Sequence, residues 1–158
     1  PNKNVTVTYE LFANISSMKI YFAGAIRGGR DETDYYKKII TYLSSKAEVL
    51  TEHVGSSTLT IIGEKSRSNE EIFIRDMDWL QSADLVIAEV TTPSLGVGYE
   101  LGIAEKLNIP VLCLYRKTTG KRLSAMISGN QKFKCQAYQT LDEAQIHINN
   151  FFKQELQA

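Results

Sequence analysis

Residues 84–116, DLVIAEVTTPSLGVGYELGIAEKLNIPVLCLYR, decide the fold of this chain. The stretch opens with a near-continuous apolar segment, which is typical of a parallel strand buried on both faces of its sheet. Pro93 ends that segment, and Ser94 is a residue type that caps helix N-termini. A segment with helical periodicity follows, and a second apolar strand begins after Pro110. The order strand, loop, helix, strand is the repeating unit of a parallel α/β sheet.

The same alternation continues on both sides of this stretch. Further strands are predicted at 18–23, 47–52 and 133–138, and further helices at 31–45, 68–82, 123–127 and 141–156. With right-handed crossovers, the simplest arrangement is a single-domain flavodoxin-like (Rossmann-like) α/β fold. Its five-stranded parallel sheet has the order 2-1-3-4-5, with helices on both faces. Ligands bind such sheets beyond the carboxyl ends of strands 1 and 3, where the strand order reverses.

The length of 158 residues suits one domain with one substantial core. Met18, followed by KIYFAGAIRGGR, has the look of a natural chain start. We therefore expect the domain to span residues 18–158. Residues 1–17 are expected to be an N-terminal extension, either disordered or of artificial origin.

Composition excludes several classes of protein. Hydrophobic residues make up 43% of the chain, and 18 basic residues balance 18 acidic ones, which argues against disorder. Without a basic block or an apolar run of transmembrane length, we expect no nucleic-acid polymer and no membrane as partner. No signal peptide is visible, so a cytoplasmic or nuclear location is expected. The two Cys and two His lack metal-ligand spacing, and we expect no metal and no cofactor.

Two successive helices each place one acid on their apolar side. Glu100 lies three residues after Val97, and Asp76 lies three after Phe73 and four before Leu80. An acid there must find partners or shift its pKa, although an Asp at the wet edge of the apolar stripe is an equal alternative for Asp76. Paired carboxylates in a half-buried site suit glycosidic bond cleavage, in which one acts as nucleophile and the other as acid.

Two loops are expected to face each other across the crevice at the strand reversal. GAIRGGR, residues 24–30, follows strand 1, and TTPSLGVG, residues 91–98, follows strand 3. Glycines let the backbone approach a ligand closely. The first loop is neither a Walker motif nor GxGxxG, so an ordinary turn is an equal interpretation of it taken alone. Its position opposite the second loop favours a functional role.

Several segments together resemble one known family. They are KIYFAGAIRGGR (19–30), TEHV (51–54), the long segment 76–102 that ends in SLGVGYELG, and LSAMI (123–127). These resemble the 2′-deoxynucleoside 5′-monophosphate N-glycosidases of the Rcl type, within the nucleoside 2-deoxyribosyltransferase superfamily. The likeness covers about residues 18–155, and the SLGVGYELG run makes a chance match improbable.

The resemblance implies an enzyme that hydrolyses nucleoside 5′-monophosphates to a free base and (deoxy)ribose 5-phosphate. It implies that Glu100 is the nucleophile, which attacks the anomeric carbon and holds the sugar covalently until water releases it. Asp76 would be its acidic partner, orienting the sugar or helping the base to leave. Tyr21 would be the active-site tyrosine near the nucleophile.

The resemblance also implies residues that bind the 5′-phosphate, the sugar and the base. They are Ala25, Ile26, Arg27, Gly28, His53, Ser94, Gly96, Gly98, Ser124 and Met126. The phosphate would be held by Ser94 and by amides of the first loop, and His53 would form a pocket wall. Ser124 and Met126 would reach the neighbouring site of a homodimer, Ser124 at the phosphate and Met126 at the base.

One position departs from the family pattern and leaves the substrate open. The family usually has Ser where this chain has Ala25, and one hydrogen bond to a charged phosphate is worth ~1–3 kcal/mol. A ribonucleotide of the CMP or hydroxymethyl-CMP type is therefore an alternative substrate. Base exchange by a deoxyribosyltransferase and non-catalytic nucleotide binding are further alternatives. An FMN carrier is disfavoured, because a pocket with carboxylates offers nothing to a flavin ring.

Overall fold

A computed structural model describes residues 14–26, 33–55, 67–117, 120 and 122–157. The described residues form one five-stranded parallel sheet of order β2-β1-β3-β4-β5, so the predicted fold and strand order are confirmed. The strands are β1 Lys19–Ala23, β2 Glu48–Val49, β3 Leu85–Glu89, β4 Val111–Arg116 and β5 Phe133–Tyr138.

The helices alternate with the strands, and serine or threonine caps begin four of them. They are α1 Thr33–Ser44, α2 Asn69–Ser82, α3 Leu95–Lys106, α4 Ala125–Ser128 and α5 Leu141–Glu155, with a 3-10 helix at Glu52–Gly55. Ser68 and Glu71 form a capping box at the start of α2, and Ser94 accepts a hydrogen bond from the amide of Val97 at the start of α3. The caps fix where α2 and α3 enter the fold.

The sheet separates two hydrophobic cores. Alternate residues of a strand face opposite sides, so Ile20 and Phe22 pack towards α1 and α5. Tyr21 and Ala23 face the other side, where they share a core with Met77 of α2 and residues of α3. Tyr21 therefore lies on the face covered by the two helices that bear Asp76 and Glu100.

The second strand is shorter than predicted. Residues 47–52 were expected to be a strand, but only Glu48–Val49 pair with β1, and the 3-10 helix begins at Glu52. The side chain of Thr51 takes over the next pairing: its hydroxyl accepts from the amide of Phe22 at 2.8 Å and donates to the carbonyl of Phe22 at 2.7 Å. The backbone of Thr51 therefore need not pair with β1, and the chain turns into the 3-10 helix.

The apolar stripe predicted for α2 is only partly correct. Met77 and Leu80 are buried, but Phe73 is 52% exposed. Its ring faces that of Tyr99 on α3 at 6.2 Å between centroids instead of packing on the sheet. The short helix α4 also starts later than predicted, at Ala125, because Ser124 caps it by accepting from the amide of Met126.

The segment before β1 is described from Asn14 onwards. Ile15 is buried in the core that lies under α1 and α5, and its carbonyl accepts a hydrogen bond from the amide of Met18. Residues 1–13 lie outside the described part of the chain. The boundary expected at residue 17 therefore stays a prediction.

Candidate active site

Tyr21 and Glu100 meet above the sheet on the face covered by α2 and α3. The hydroxyl of Tyr21 donates a hydrogen bond of 2.7 Å to Oε1 of Glu100. Among the described residues, the Glu100 carboxylate makes this one hydrogen bond. Its other oxygen, Oε2, is therefore available to a ligand. The strand thus fixes the orientation of an acid supplied by a helix.

The surroundings of Glu100 place its proton equilibrium near neutrality. Burial raises the pKa of Glu100, the hydrogen bond from Tyr21 lowers it, and the nearby charge of Asp76 raises it, so that the pKa is about 7. Burial, followed by the charge of Glu100, raises the pKa of Tyr21 well above its usual range. Tyr21 therefore stays protonated and remains a hydrogen-bond donor.

Asp76 is paired with the arginine that precedes it. Nε and Nη2 of Arg75 lie 2.9 and 2.8 Å from the same oxygen, Oδ1 of Asp76. Nη2 of Arg75 is also 3.3 Å from Nε2 of His53, and the guanidinium lies 4.6 Å from the ring centre of Trp79. In this pairing Oδ1 of Asp76 accepts both hydrogen bonds from the guanidinium.

A cleft of about 540 Å³ joins these groups to the N-terminus of α3. The residues that line it are Gly24, Ile26, Asn69, Ile72, Phe73, Arg75, Asp76, Met77, Ser94, Leu95, Gly96, Val97, Tyr99 and Glu100. Ser94, Leu95 and Gly96 line the cleft at the N-terminus of α3, where the helix dipole and the first amides favour an anion. The carboxylates of Asp76 and Glu100 line the same cleft.

The structure brings most of the predicted site residues together. Asp76 and Glu100 share the cleft, and Tyr21 contacts Glu100 from the sheet. Ser94, Gly96 and Ile26 line the same cleft, whereas His53 lies behind Asp76 against Arg75.

The other predicted binding residues lie apart from this group. Ala25 is buried, and its amide donates to the hydroxyl of Tyr36 at 3.2 Å. Gly98, Ser124 and Met126 line a second cleft of about 360 Å³, which shares Ser94, Leu95 and Val97 with the first. Residues 27 and 28, predicted to bind the phosphate, lie outside the described part of the chain.

Sequence reasoning missed the side chains that surround Asp76. Arg75 and Trp79 are four residues apart and therefore lie on the same face of α2. That spacing was a usable signal for their stacking. The contact between Arg75 and His53 joins α2 to the 3-10 helix. Because it depends on how these two elements pack, no local pattern could reveal it.

A third acid, Glu89, is fully buried on the opposite face of the sheet. It accepts hydrogen bonds from the hydroxyl of Tyr138 at 3.1 Å and from the hydroxyl of Thr91. The Thr91 hydroxyl oxygen in turn accepts from the amide of Arg116 at 2.8 Å. Glu89 therefore joins the carboxyl ends of β3, β4 and β5. Its signal was an acid at the end of the apolar run DLVIAEV.

The described residues contain no group of three or more His, Cys, Asp or Glu side chains that could hold a metal ion. Among the helices described, none has the length and apolar character to cross a membrane.

A flavodoxin-like sheet thus carries a tyrosine and two carboxylates near the reversal of its strand order. The chain belongs to the nucleoside 2-deoxyribosyltransferase family, whose sequence model matches residues 20–151. The family predicted from the sequence is thus confirmed.

Two named relatives and one solved structure are similar to this chain. The chain is 47% identical to the 5-hydroxymethyl-dUMP N-hydrolase of Tetraodon nigroviridis over 142 residues, which are 87% of this chain and 99% of that protein. It is 50% identical to the human protein of the same name over 111 residues, 70% of this chain and 64% of that protein. The solved structure of the CMP N-glycosidase BcmB of Clostridium botulinum superposes with a TM-score of 0.60, covering 84% of this chain and 98% of BcmB. At 17% identity, that match shows the fold.

Proposed function

We propose that this protein hydrolyses the N-glycosidic bond of 2′-deoxynucleoside 5′-monophosphates to a free base and deoxyribose 5-phosphate. The observation on which this rests is the 2.7 Å hydrogen bond from Tyr21 to Glu100 in a cleft whose other wall bears Asp76. The names of the Tetraodon and human relatives, both N-hydrolases of a deoxynucleoside monophosphate, support the same reaction.

In the first step, ionised Glu100 attacks the anomeric carbon of the sugar. Tyr21 holds Oε1, so Oε2 forms the new C1′–O bond. The C1′–N bond breaks, and its electron pair leaves with the base, which takes a proton from solvent. A carboxylate suits this step because it stabilises the developing oxocarbenium charge before it forms the covalent bond.

In the second step, a water molecule attacks C1′ from the side vacated by the base. The C1′–Oε2 bond breaks, its electron pair returns to Glu100, and the water gives up one proton to solvent. The sum is nucleotide plus water to base plus sugar 5-phosphate. The ion pair with Arg75 favours Asp76 as the acceptor that orients the sugar over Asp76 as a proton donor.

The phosphate is proposed to bind at the N-terminus of α3. Ser94 and Gly96 line the cleft there, and Ile26 approaches from the loop after β1. Backbone amides and a helix dipole at this position suit a dianion. Arg27 and Gly28 belong to this proposal through the family resemblance. The 5-hydroxymethyl pyrimidine of the named relatives is the first base to test.

A homodimer is proposed in which Ser124 and Met126 reach the neighbouring site. Both line the second cleft, next to Ser94. Met126 is 82% exposed and Leu95, at the same cleft, is 96% exposed, as expected of apolar residues that another chain covers. A cytoplasmic or nuclear location is proposed as well, and the free thiols of Cys113 and Cys135, register partners on β4 and β5, support a reducing compartment.

The decisive experiment is a panel of nucleoside monophosphates in deoxy and ribo forms, including 5-hydroxymethyl-dUMP, with chromatographic detection of free base. Wild type is expected to release base. Glu100→Ala is expected to lose activity by at least ~10³-fold, since it removes the nucleophile. Asp78→Ala, an exposed acid on α2, is the matched control and should retain full activity.

The same panel separates the alternatives. Unchanged base release by Glu100→Ala would rule out the proposed mechanism. Tight binding without release, for every nucleotide tried, would identify a nucleotide-binding module. A new nucleotide formed when a second base is supplied would identify a base-exchange enzyme. Release confined to the ribo forms would reassign the sugar.

A further inference from the structure

Arg75 and Asp76 are adjacent residues of α2, and a contact between their side chains is unusual. Neighbouring residues on a helix point about 100° apart, so side chains at i and i+1 do not normally meet. Here the guanidinium folds back, and both Nε and Nη2 lie within 2.9 Å of Oδ1 of Asp76. Something other than helix geometry must therefore hold the arginine in this conformation.

Two aromatic rings hold it. Trp79, one turn further along α2, lies under the guanidinium at 4.6 Å, and His53 approaches Nη2 at 3.3 Å. The two rings are themselves 5.6 Å apart. An arginine N–H can only donate, so a hydrogen bond here has Nε2 of His53 as its acceptor. The rings fix the guanidinium on one side, and Asp76 fixes it on the other.

The pairing leaves the two oxygens of Asp76 in different states. Oδ1 accepts from Arg75, while Oδ2 has no hydrogen-bond partner among the described residues. Both side chains line the cleft, and only 16% of the Arg75 side chain and 18% of the Asp76 side chain is exposed. A shielded ion pair of this kind is stronger than one in open solvent, and it restricts the rotation of the carboxylate.

We propose that Arg75 is a positioning residue for the reaction proposed above. It fixes Asp76 through Oδ1 and keeps Oδ2 turned towards the sugar. Trp79 and His53 act on the reaction through Arg75, by holding its guanidinium. The expected effect of Arg75 on the rate rests on the proposed function, whereas its effect on the position of the Asp76 carboxylate does not.

The kinetic test replaces Arg75 by Ala and by Lys. Because a catalytic group misplaced by about 1 Å can lower rates by ~10²-fold, kcat of Arg75→Ala is expected to fall 10- to 100-fold. KM is expected to change less than about threefold, since Arg75 contacts Asp76 and not the phosphate end of the cleft. Arg75→Lys keeps the charge but lacks the planar fork, and should recover only part of the rate.

Chemical rescue separates positioning from a general loss of structure. Guanidinium ions, added far below denaturing concentrations, should raise kcat of Arg75→Ala by occupying the vacated place beside Trp79 and Asp76. They should not change kcat of wild type or of Arg67→Ala, an exposed arginine just before α2 that serves as the control. A rate for Arg75→Ala equal to wild type, or a loss that guanidinium does not reverse, would overturn the kinetic role.

A crystal structure of Arg75→Ala tests the same idea without any turnover. The Asp76 carboxylate should leave its present position or become disordered, while α2 stays in place. An unmoved Asp76 would overturn the proposal. If wild type released no base from any monophosphate, the proposed function would fail, and the position of Asp76 in the variant would still decide the role of Arg75.

Discussion

At the scale of single residues, Glu100 is held in a state that costs stability. Burial raises its pKa from 4.5 to about 7. In the unfolded chain it ionises at the lower pH, so the folded protein binds more protons between these values. Its contribution to stability therefore falls as pH rises from about 4.5 through 7, by ~3 kcal/mol in all. A buried acid kept at such a cost is typical of a site selected for chemistry.

The pKa of Glu100 predicts the pH dependence of the reaction. In the proposed mechanism, attack on the sugar requires the ionised form, whose fraction rises with pH through about 7. We expect kcat/KM to fall about tenfold for each pH unit below that value and to level off above it. Initial rates of base release between pH 5 and 9 measure this profile.

Two variants should move that profile in opposite directions. The charge of Asp76 raises the pKa of Glu100, so Asp76→Asn should shift the acid limb to lower pH. The hydrogen bond from Tyr21 lowers the pKa, so Tyr21→Phe should shift the limb to higher pH. The nucleotide phosphate titrates near pH 6 in all three proteins and so cancels in the comparison. An acid limb that both variants leave in place would show that another group sets it.

At the scale of elements, helix α3 has more glycine than helix stability favours. Gly96, Gly98 and Gly102 lie within it, and glycine in a helix interior costs up to ~1 kcal/mol relative to alanine. Among the described residues, an added Cβ would meet nothing within 4 Å at Gly98 and Gly102, and only Oγ of Ser94 at 3.7 Å at Gly96. Packing among the described residues does not demand these glycines, and at Gly96 and Gly98, which line the two clefts, this favours an approach by a ligand or another chain.

Matched substitutions in α3 test this interpretation. Gly102→Ala, away from both clefts, should raise the free energy of unfolding by ~0.5–1 kcal/mol and leave KM unchanged. Gly96→Ala should be at least as stable as wild type but raise KM about tenfold, because its methyl group would crowd a phosphate beside Ser94. Urea unfolding and steady-state kinetics provide the two measurements. Equal KM values for both variants would show that Gly96 does not contact the phosphate.

Local chemistry explains which elements the sequence could predict. Ser68 with Glu71, and Ser94 after Pro93, are caps whose physics acts within four residues, so α2 and the start of α3 were predicted nearly to the residue. The prediction of a strand over residues 47–52 was wrong in its length for the opposite reason. There the hydroxyl of Thr51 replaces a backbone pairing with β1, a contact between residues 29 positions apart that no local pattern encodes.

At the scale of the whole molecule, the site is assembled from parts that the sequence reveals unequally. Helix periodicity placed Glu100 and Asp76 on apolar faces, and strand alternation with the order 2-1-3-4-5 could place Tyr21 beneath them. The partners of Asp76 could not be predicted, because His53 reaches Arg75 only once α2 packs beside the 3-10 helix. The acids were thus readable from the sequence, whereas the groups that orient them depend on tertiary packing.

The proposed homodimer predicts that two defective chains can restore each other. If Ser124 acts across the interface, a heterodimer of Glu100→Ala and Ser124→Ala contains one site with both native residues and one with neither. Random mixing makes half of the dimers heterodimers, so the mixture should regain about 25% of wild-type activity at low substrate concentration. Mixing the subunits after mild dissociation and measuring base release tests this. Activity that merely equals the average of the two variants would place Ser124 in its own chain's site. A single-chain mass by sedimentation would do the same, because a monomer offers no neighbouring site for Ser124 to reach.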